Sequence, residues 1–291
     1  MRTEPSADPY VPGHGDLRYA VEEYDLDLDY TIAGNHLAGR TVAHCRTLEA
    51  TEEIAFDLSS ALRVMSVEVT GATVKRHAHR GSRLALRFDR PVPAGHRLTV
   101  TIATKGHPRP MRGPDGLAGW EELEDGVIVA SQPHGAPSWF ACNDRPSDKA
   151  AYRVTIACDA AYTVWGNGRL AARRKVGRKT AWTWVQSEPM APYLATLQIG
   201  RYAARDLAAG PVPVRVVGPP RLRAAMDSRL RRPGADDRGD AGVVRAVSLR
   251  GGLHRGRHGR RPRDPPGEPD PVDLRRQPDE SDLGGPAPDR P

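Results

Sequence analysis

Glu23-Tyr24-Asp25-Leu26-Asp27-Leu28-Asp29-Tyr30 alternates without a break. Successive side chains of an extended chain point to opposite faces. Tyr24, Leu26, Leu28 and Tyr30 therefore share one face and the carboxylates the other, as in a strand with one side in a core and one in water. Working outward, short strands of the same kind are predicted at Arg40–Leu48, Glu53–Leu58, Arg63–Val69, Arg83–Phe88, Leu98–Ala103, Gly126–Ala130, Tyr152–Ala157, Tyr162–Asn167, Thr180–Gln186, Tyr193–Ile199 and Val212–Val217. Turn residues separate them, at Ala33-Gly34-Asn35, Pro93-Ala94-Gly95 and Gly166-Asn167-Gly168. Residues 105–122 read as a long loop. Helical periodicity is absent until a one-turn stretch around Leu222–Asp227. The expected fold is all-β, an antiparallel sandwich or saddle-shaped sheet.

The character of the chain changes at Ser228. Residues 228–291 hold no aromatic residue and no Lys, but 14 Arg, 10 Pro and 10 Gly. So little apolar mass cannot offset the entropy of ordering the backbone. The expected organisation is a flexible lead-in over 1–18, a β-domain over 19–220, and a disordered tail over 221–291.

The net charge of +7 is spread along the chain and does not form a basic stripe with stacking aromatics, which argues against a nucleic-acid partner. No stretch approaches the about 18 apolar residues of a membrane span. Residues 1–16 lack the apolar centre of a secretory signal. Cys45, Cys142 and Cys158 are odd in number and form no C-x-x-C pair, which argues against a disulfide framework. The expected setting is a reducing cytoplasm.

One block stands apart: Gln132-Pro-His-Gly-Ala-Pro-Ser-Trp139-Phe140-Ala-Cys142-Asn143-Asp144-Arg-Pro146-Ser-Asp148-Lys149-Ala150. It is a long irregular run followed by an Asn-Asp-x-Pro turn entering a strand. It resembles the F-P-C-x-D-x-P-x-x-K-A segment that closes the first β-domain of the aminopeptidase N-type zinc metallopeptidases. Phe140, Cys142, Asp144, Pro146, Lys149 and Ala150 match, and Ala141 replaces the first proline. Val164-Trp165-Gly166-Asn167-Gly168 resembles the family's Asn-Gly turn. Trp184 with Glu188-Pro189-Met190-Ala191-Pro192-Tyr193-Leu194-Ala195 resembles its W-x-x-x-x-P-M-x-x-Y-L hairpin. The likeness covers roughly residues 20–220. It implies a mostly β N-terminal domain packed on a thermolysin-like catalytic domain, with peptides as substrates.

In that family H-E-x-x-H and a later Glu hold zinc, and the first Glu is the general base. A G-A-M-E-N-like strand binds the peptide. Neither motif occurs in this sequence, so no catalytic residue and no metal ligand is expected here. His254-Arg-Gly-Arg-His258 has the spacing of two helical ligands, but Arg255 and Arg257 stand between them and the Glu is missing.

Back-translation offers a reason for the tail. Allowed codons for Arg263–Pro278, read one base later, give E-I-P-L-E-N-Q-T-L-S-I-F-G-A-N, which resembles the substrate-binding strand. Val243–His258 can likewise encode E-W-F-E-R-F-P-F-A-A-Y-T-V-V-V-T, and Leu283–Pro291 can encode W-E-A-Q-R-L-I-A, with H-E to follow across a TGA stop. A frameshift near Asp227–Arg229 is the expectation, and the chain as it stands is expected to be inactive. The competing reading is a stand-alone β-sandwich binding module with a disordered Arg/Pro-rich tail.

Gln132 is the one candidate substrate-binding residue. The resemblance implies it from a Gln-x-Glu segment that helps hold the substrate's amino group, although Pro133 and His134 here replace the acidic position. His134 is expected to be a solvated loop histidine. Asp144 and Lys149 are expected to be structural, Cys142 a buried thiol, and His77 and His79 a solvent face. Trp139, Trp165, Trp182 and Trp184 are expected in the core or at a domain interface.

Overall fold

The computed structural model describes residues 12–113, 116–207, 214–222 and 224. The first strands are β1 (Tyr19–Thr31), β2 (His36–Thr47), β3 (Thr51–Asp57), β4 (Leu62–Thr70), β5 (Val74–Arg80), β6 (Arg83–Val92) and β7 (Arg97–Gly106). There follow β8 (Met111–Gly113), β9 (Gly116–Leu123), β10 (Gly126–Ala130), β11 (Ala150–Asp159) and β12 (Thr163–Gly166). The last are β13 (Arg169–Val176), β14 (Lys179–Met190), β15 (Leu197–Gly200), β16 (Ala203–Leu207) and β17 (Val214–Gly218). Three short 3₁₀ turns, at Ala136–Ser138, Pro192–Leu194 and Pro220–Leu222, complete the regular structure among the described residues.

The alternation of β1 is realised in three dimensions. Tyr24, Leu26, Leu28 and Tyr30 are buried, Glu23, Asp27 and Asp29 are exposed, and Asp25 is half-buried. Burying such side chains contributes about 1.5–3 kcal/mol each, so a slip by one residue would expose the whole set. β1 turns into β2 through Gly34 and Asn35, both at positive φ, a conformation those two residue types tolerate best.

The largest sheet has seven strands in the order β13-β14-β11-β1-β2-β7-β4. A five-stranded sheet (β12-β15-β10-β9-β8), a three-stranded sheet (β3-β6-β5) and the hairpin β16-β17 accompany it. The core is continuous across the three larger sheets: Leu26 and Ile156 from the first, Val127 and Ile199 from the second, and Phe56 and Leu86 from the third are all fully buried in one cluster. Pairing is antiparallel except between β1 and β11, which run parallel with Tyr24 opposite Tyr152 and Leu28 opposite Ile156. A parallel neighbour requires a long crossover, and residues 32–149 supply it.

Several expectations shift. Residues 105–122 are not a plain loop: β8 and β9 form a hairpin there, with Ala118 and Trp120 buried. No strand is predicted over β13 or β16. All eight residues of β13 are exposed, so it has no apolar alternation to read. Tyr193–Ile199 is strand only from Leu197, because Pro192 opens a 3₁₀ turn. Within the stretch expected to be a loose lead-in, His14–Arg18 are fastened by hydrogen bonds, with Gly15 and Asp16 buried. The expectation of disorder after residue 224 and the His254/His258 pair lie outside the described residues.

Candidate functional site

The segment that precedes β11 is built as a plug. Gly135 N–H donates to Ser131 O at 2.6 Å, which starts the turn that leads into Ala136–Ser138. The Ser138 hydroxyl accepts from Trp120 N–H of β9 at 2.9 Å. Trp139 and Phe140 then enter the core, their rings 4.5 Å apart, and Phe140 meets Tyr24 edge-on at 5.6 Å. Cys142 makes a β-bridge with Asp57, with N–H···O distances of 2.7 and 3.0 Å. The chain is thus locked to the end of β3 before it turns.

The turn itself carries a buried polar network. Asn143 accepts from Asp16 N–H at 2.7 Å, and its amide donates to Asp148 Oδ2 at 2.7 Å and to the carbonyls of Asp16 and Tyr19. Its own N–H donates to the Tyr24 hydroxyl at 2.9 Å. Asp57 Oδ2 accepts from the N–H groups of Gly15 and Asp144, while Arg83 reaches Asp57 Oδ1 at 3.2 Å. Asp144 bonds His14 Nδ1 at 2.8 Å. Asp148 accepts from Val21 N–H at 3.1 Å, which ties the turn to β1. A buried carboxylate survives only when its lone pairs are answered in this way.

Burial raises all three of these carboxylates. It pushes Asp148 up to about 6, outweighing the Val21 N–H, Arg145 and Asn143. It raises Asp57 against Arg83 and His14, and Asp144 against its bond to His14. Burial alone would lower His14, but the hydrogen bond and charge of Asp144, with Asp57 beyond, raise it overall. The Cys142 thiol is raised well above its ordinary value by burial and by Asp144 and Asp57. It is therefore an inert buried group, as expected, and not a nucleophile.

The individual candidates fall out as follows. Gln132 is exposed, at the outer end of the plug, and its side chain bonds no described residue. His134 corrects an expectation: it is only 3% exposed. Its ring fills the space beside Gly113, where a Cβ would collide with it, and lies 5.5 Å edge-on from His14. Asp144 is buried in the network, whereas Lys149 is exposed. His77 is exposed, and His79 is half-buried with Nε2 2.9 Å from Leu58 O. Trp139, Trp182 and Trp184 are buried. Asn167, in the second motif, accepts from Thr196 N–H at 2.8 Å and donates to Leu194 O at 3.1 Å. The Asn-Gly turn and the Pro-x-Tyr-Leu segment are therefore one assembly.

Sequence reasoning missed His14, Asp16, Asp57 and Arg83. The available signal was Asp57, an acid in the otherwise apolar run Ile54-Ala55-Phe56-Asp57-Leu58. Among the described residues no three His, Cys, Asp or Glu side chains come together in a way that could hold a metal. The cleft between Trp139, Tyr152, Asn167, Trp184, Gln186 and Met190 measures about 10 Å3, room for about one water and too small for a peptide. The arrangement can hold and orient the plug. It has no exposed acid–base pair or nucleophile within it.

Residues 20–194 match the family model of the peptidase M1 N-terminal domain. The M1 zinc metallopeptidase of Deinococcus radiodurans is similar to the chain at 25% identity and a TM-score of 0.65, over 73% of this chain and 50% of that one. A mutant of it bound to a Tyr-Ser-Ala substrate gives 24% identity with the same TM-score and coverage. A two-domain M1 zinc metallopeptidase mutant bound to L-arginine gives 24% identity and a TM-score of 0.66, over 76% and 55%. The chain thus spans about half the length of these structures. No curated protein matches it.

Proposed function

Because the chain belongs to the peptidase M1 N-terminal domain family, we propose that it serves as the N-terminal β-domain of a zinc-dependent aminopeptidase, an enzyme that removes N-terminal residues from peptides. The observation that carries this reading is the plug: the family match spans it, and its polar network holds the backbone leading away from Gln132 on rigid supports. In this reading Gln132 is the domain's contact with the substrate's amino group, and the plug fixes where that contact lies.

The described residues do not fit a catalytic zinc, since no three ligands converge and a catalytic site needs three protein ligands plus an open position. We therefore assign hydrolysis to a catalytic domain and not to this chain, and propose that its coding sequence continues in a shifted frame from about codon 227. The three cysteines are free and buried, which supports a reducing, cytoplasmic setting.

Sequencing the coding DNA through and beyond codon 291 tests the frame. The expected result is an open shifted frame containing P-L-E-N and H-E-x-x-H. The chain as it stands should bind no stoichiometric zinc and hydrolyse no leucine anilide, and the repaired chain should do both. An early stop in the shifted frame, or hydrolysis by the present chain, would overturn the proposal. In the repaired enzyme, Gln132→Ala should raise KM for peptides and leave zinc content unchanged.

A further inference from the structure

β13 is an edge. It pairs with β14 on one side, and no strand among the described residues pairs with the other. Its outer N–H and C=O groups are open to another chain. All eight of its residues are exposed, so both faces of the strand are accessible together with the edge.

The charge on this edge is one-sided. Residues 168–178 contain Arg169, Arg173, Arg174, Lys175 and Arg178 and no carboxylate. Arg173 and Lys175 stand opposite Trp182 and Thr180 of β14, and Arg174 opposite Ala181. The pleat therefore divides the positive charge between both faces. Arg173 lies over the Trp182 ring at 4.4 Å. Arg169, Arg174, Lys175 and Arg178 make no ion pair with a described residue. Their neighbour Lys179, by contrast, pairs with Asp29. The opposite edge of the same sheet, β4, carries one Arg and one Glu over Leu62–Thr70, so unbalanced charge is not a general feature of the sheet's edges.

We propose that β13 is the docking edge for an extended acidic polypeptide segment, which adds to the seven-stranded sheet beside it and sets carboxylates against the basic side chains of both faces. The open ladder selects an extended polypeptide. The charge selects an acidic one and repels a second copy of the same edge. Single-stranded nucleic acid requires aromatic faces on which bases stack. β13 has none, and the neighbouring Trp182 is buried beneath Arg173.

The full chain can be titrated with a labelled peptide of alternating Glu and Val, with the same peptide N-methylated at alternate amides, and with oligo-dT of equal charge. The unmodified peptide should bind, weaken as salt rises, and slow amide exchange within Arg169–Val176. N-methylation should cost at least about tenfold in affinity, because it removes ladder donors. Arg174→Glu with Lys175→Glu should abolish binding, whereas Arg40→Glu with Lys105→Glu, exposed on the interior strands β2 and β7 of the same sheet, should not change it. Absence of binding, indifference to N-methylation, equal binding of oligo-dT, or an equal effect of the Arg40/Lys105 pair would overturn the proposal. Far-UV circular dichroism checks that both double variants fold, and exchange mapping on the unaltered chain decides the matter if one does not.

Discussion

Asn143 is the residue on which the most buried hydrogen bonds of the plug converge. It answers Asp16, Tyr19 and Asp148 with both ends of one amide. Asn143→Ala should cost about 3 kcal/mol in urea denaturation, since each orphaned buried group costs about 1–3 kcal/mol. Asn143→Asp should cost more, because it replaces the donor facing Asp148 with a second carboxylate. The pH response is settled at the same scale. A carboxyl raised on folding contributes stability that is full below its unfolded value and lost as pH climbs through the folded one. Asp148, raised from 3.8 to about 6, should therefore make the domain less stable as pH rises from about 4 to about 6. Asp57 and Asp144 act in the same direction. His14 is raised from 6.5, so its contribution is full below 6.5 and lost as pH rises through the folded value. Denaturation at pH 4.5, 6 and 8 should show a continuous decline. Asp148→Asn should flatten its lower part and His14→Gln its upper part. A rise in stability from pH 4.5 to 8 would refute this assignment.

At the scale of elements, the critical contact is where β9 crosses the 3₁₀ turn at Ala136–Ser138. Gly119 has φ of 107°, and a Cβ there would strike Ser138 and the Gly135 carbonyl. A Cβ on Gly135 would in turn strike the backbone of Gly119. Gly119→Ala should destabilise the domain by at least about 2 kcal/mol, combining a strained φ with a backbone collision. Gly116→Ala, equally strained at φ of 112° but with open space around its Cβ position, should cost less. The difference between the two melting temperatures isolates the collision. β8 and β9 also show why this region escaped the sequence reading: Met111-Arg-Gly and Gly-Leu-Ala-Gly-Trp hold too few apolar residues in alternation to register as strands. Their pairing is decided by backbone approach, which glycine permits and no periodicity reveals. β13 is the complementary case, a strand whose side chains are all in water.

At the scale of the whole molecule, every described residue of the buried apolar cluster lies between Tyr19 and Ile199. A chain ended after Leu222 should therefore melt within about 2 °C of the full chain, a shift that for a domain of this size corresponds to less than about 1 kcal/mol. A larger loss would show that later residues contribute to the fold. The sequence by itself determined the strand faces, the turns at Gly34-Asn35 and Gly166-Asn167-Gly168, the all-β class and the three motifs of the family, because each is local: period, turn chemistry or a short run of residues. Only the tertiary structure decided that β1 and β11 run side by side in parallel, that His134 is buried, and that Asp16, Tyr19 and Asp148 meet Asn143 while His14 and Asp57 meet Asp144. His14 and Asp144 lie 130 residues apart along the chain. Their meeting follows from desolvation: carboxylates drawn into an apolar interior must find donors, and the fold supplies them from segments that no local pattern connects.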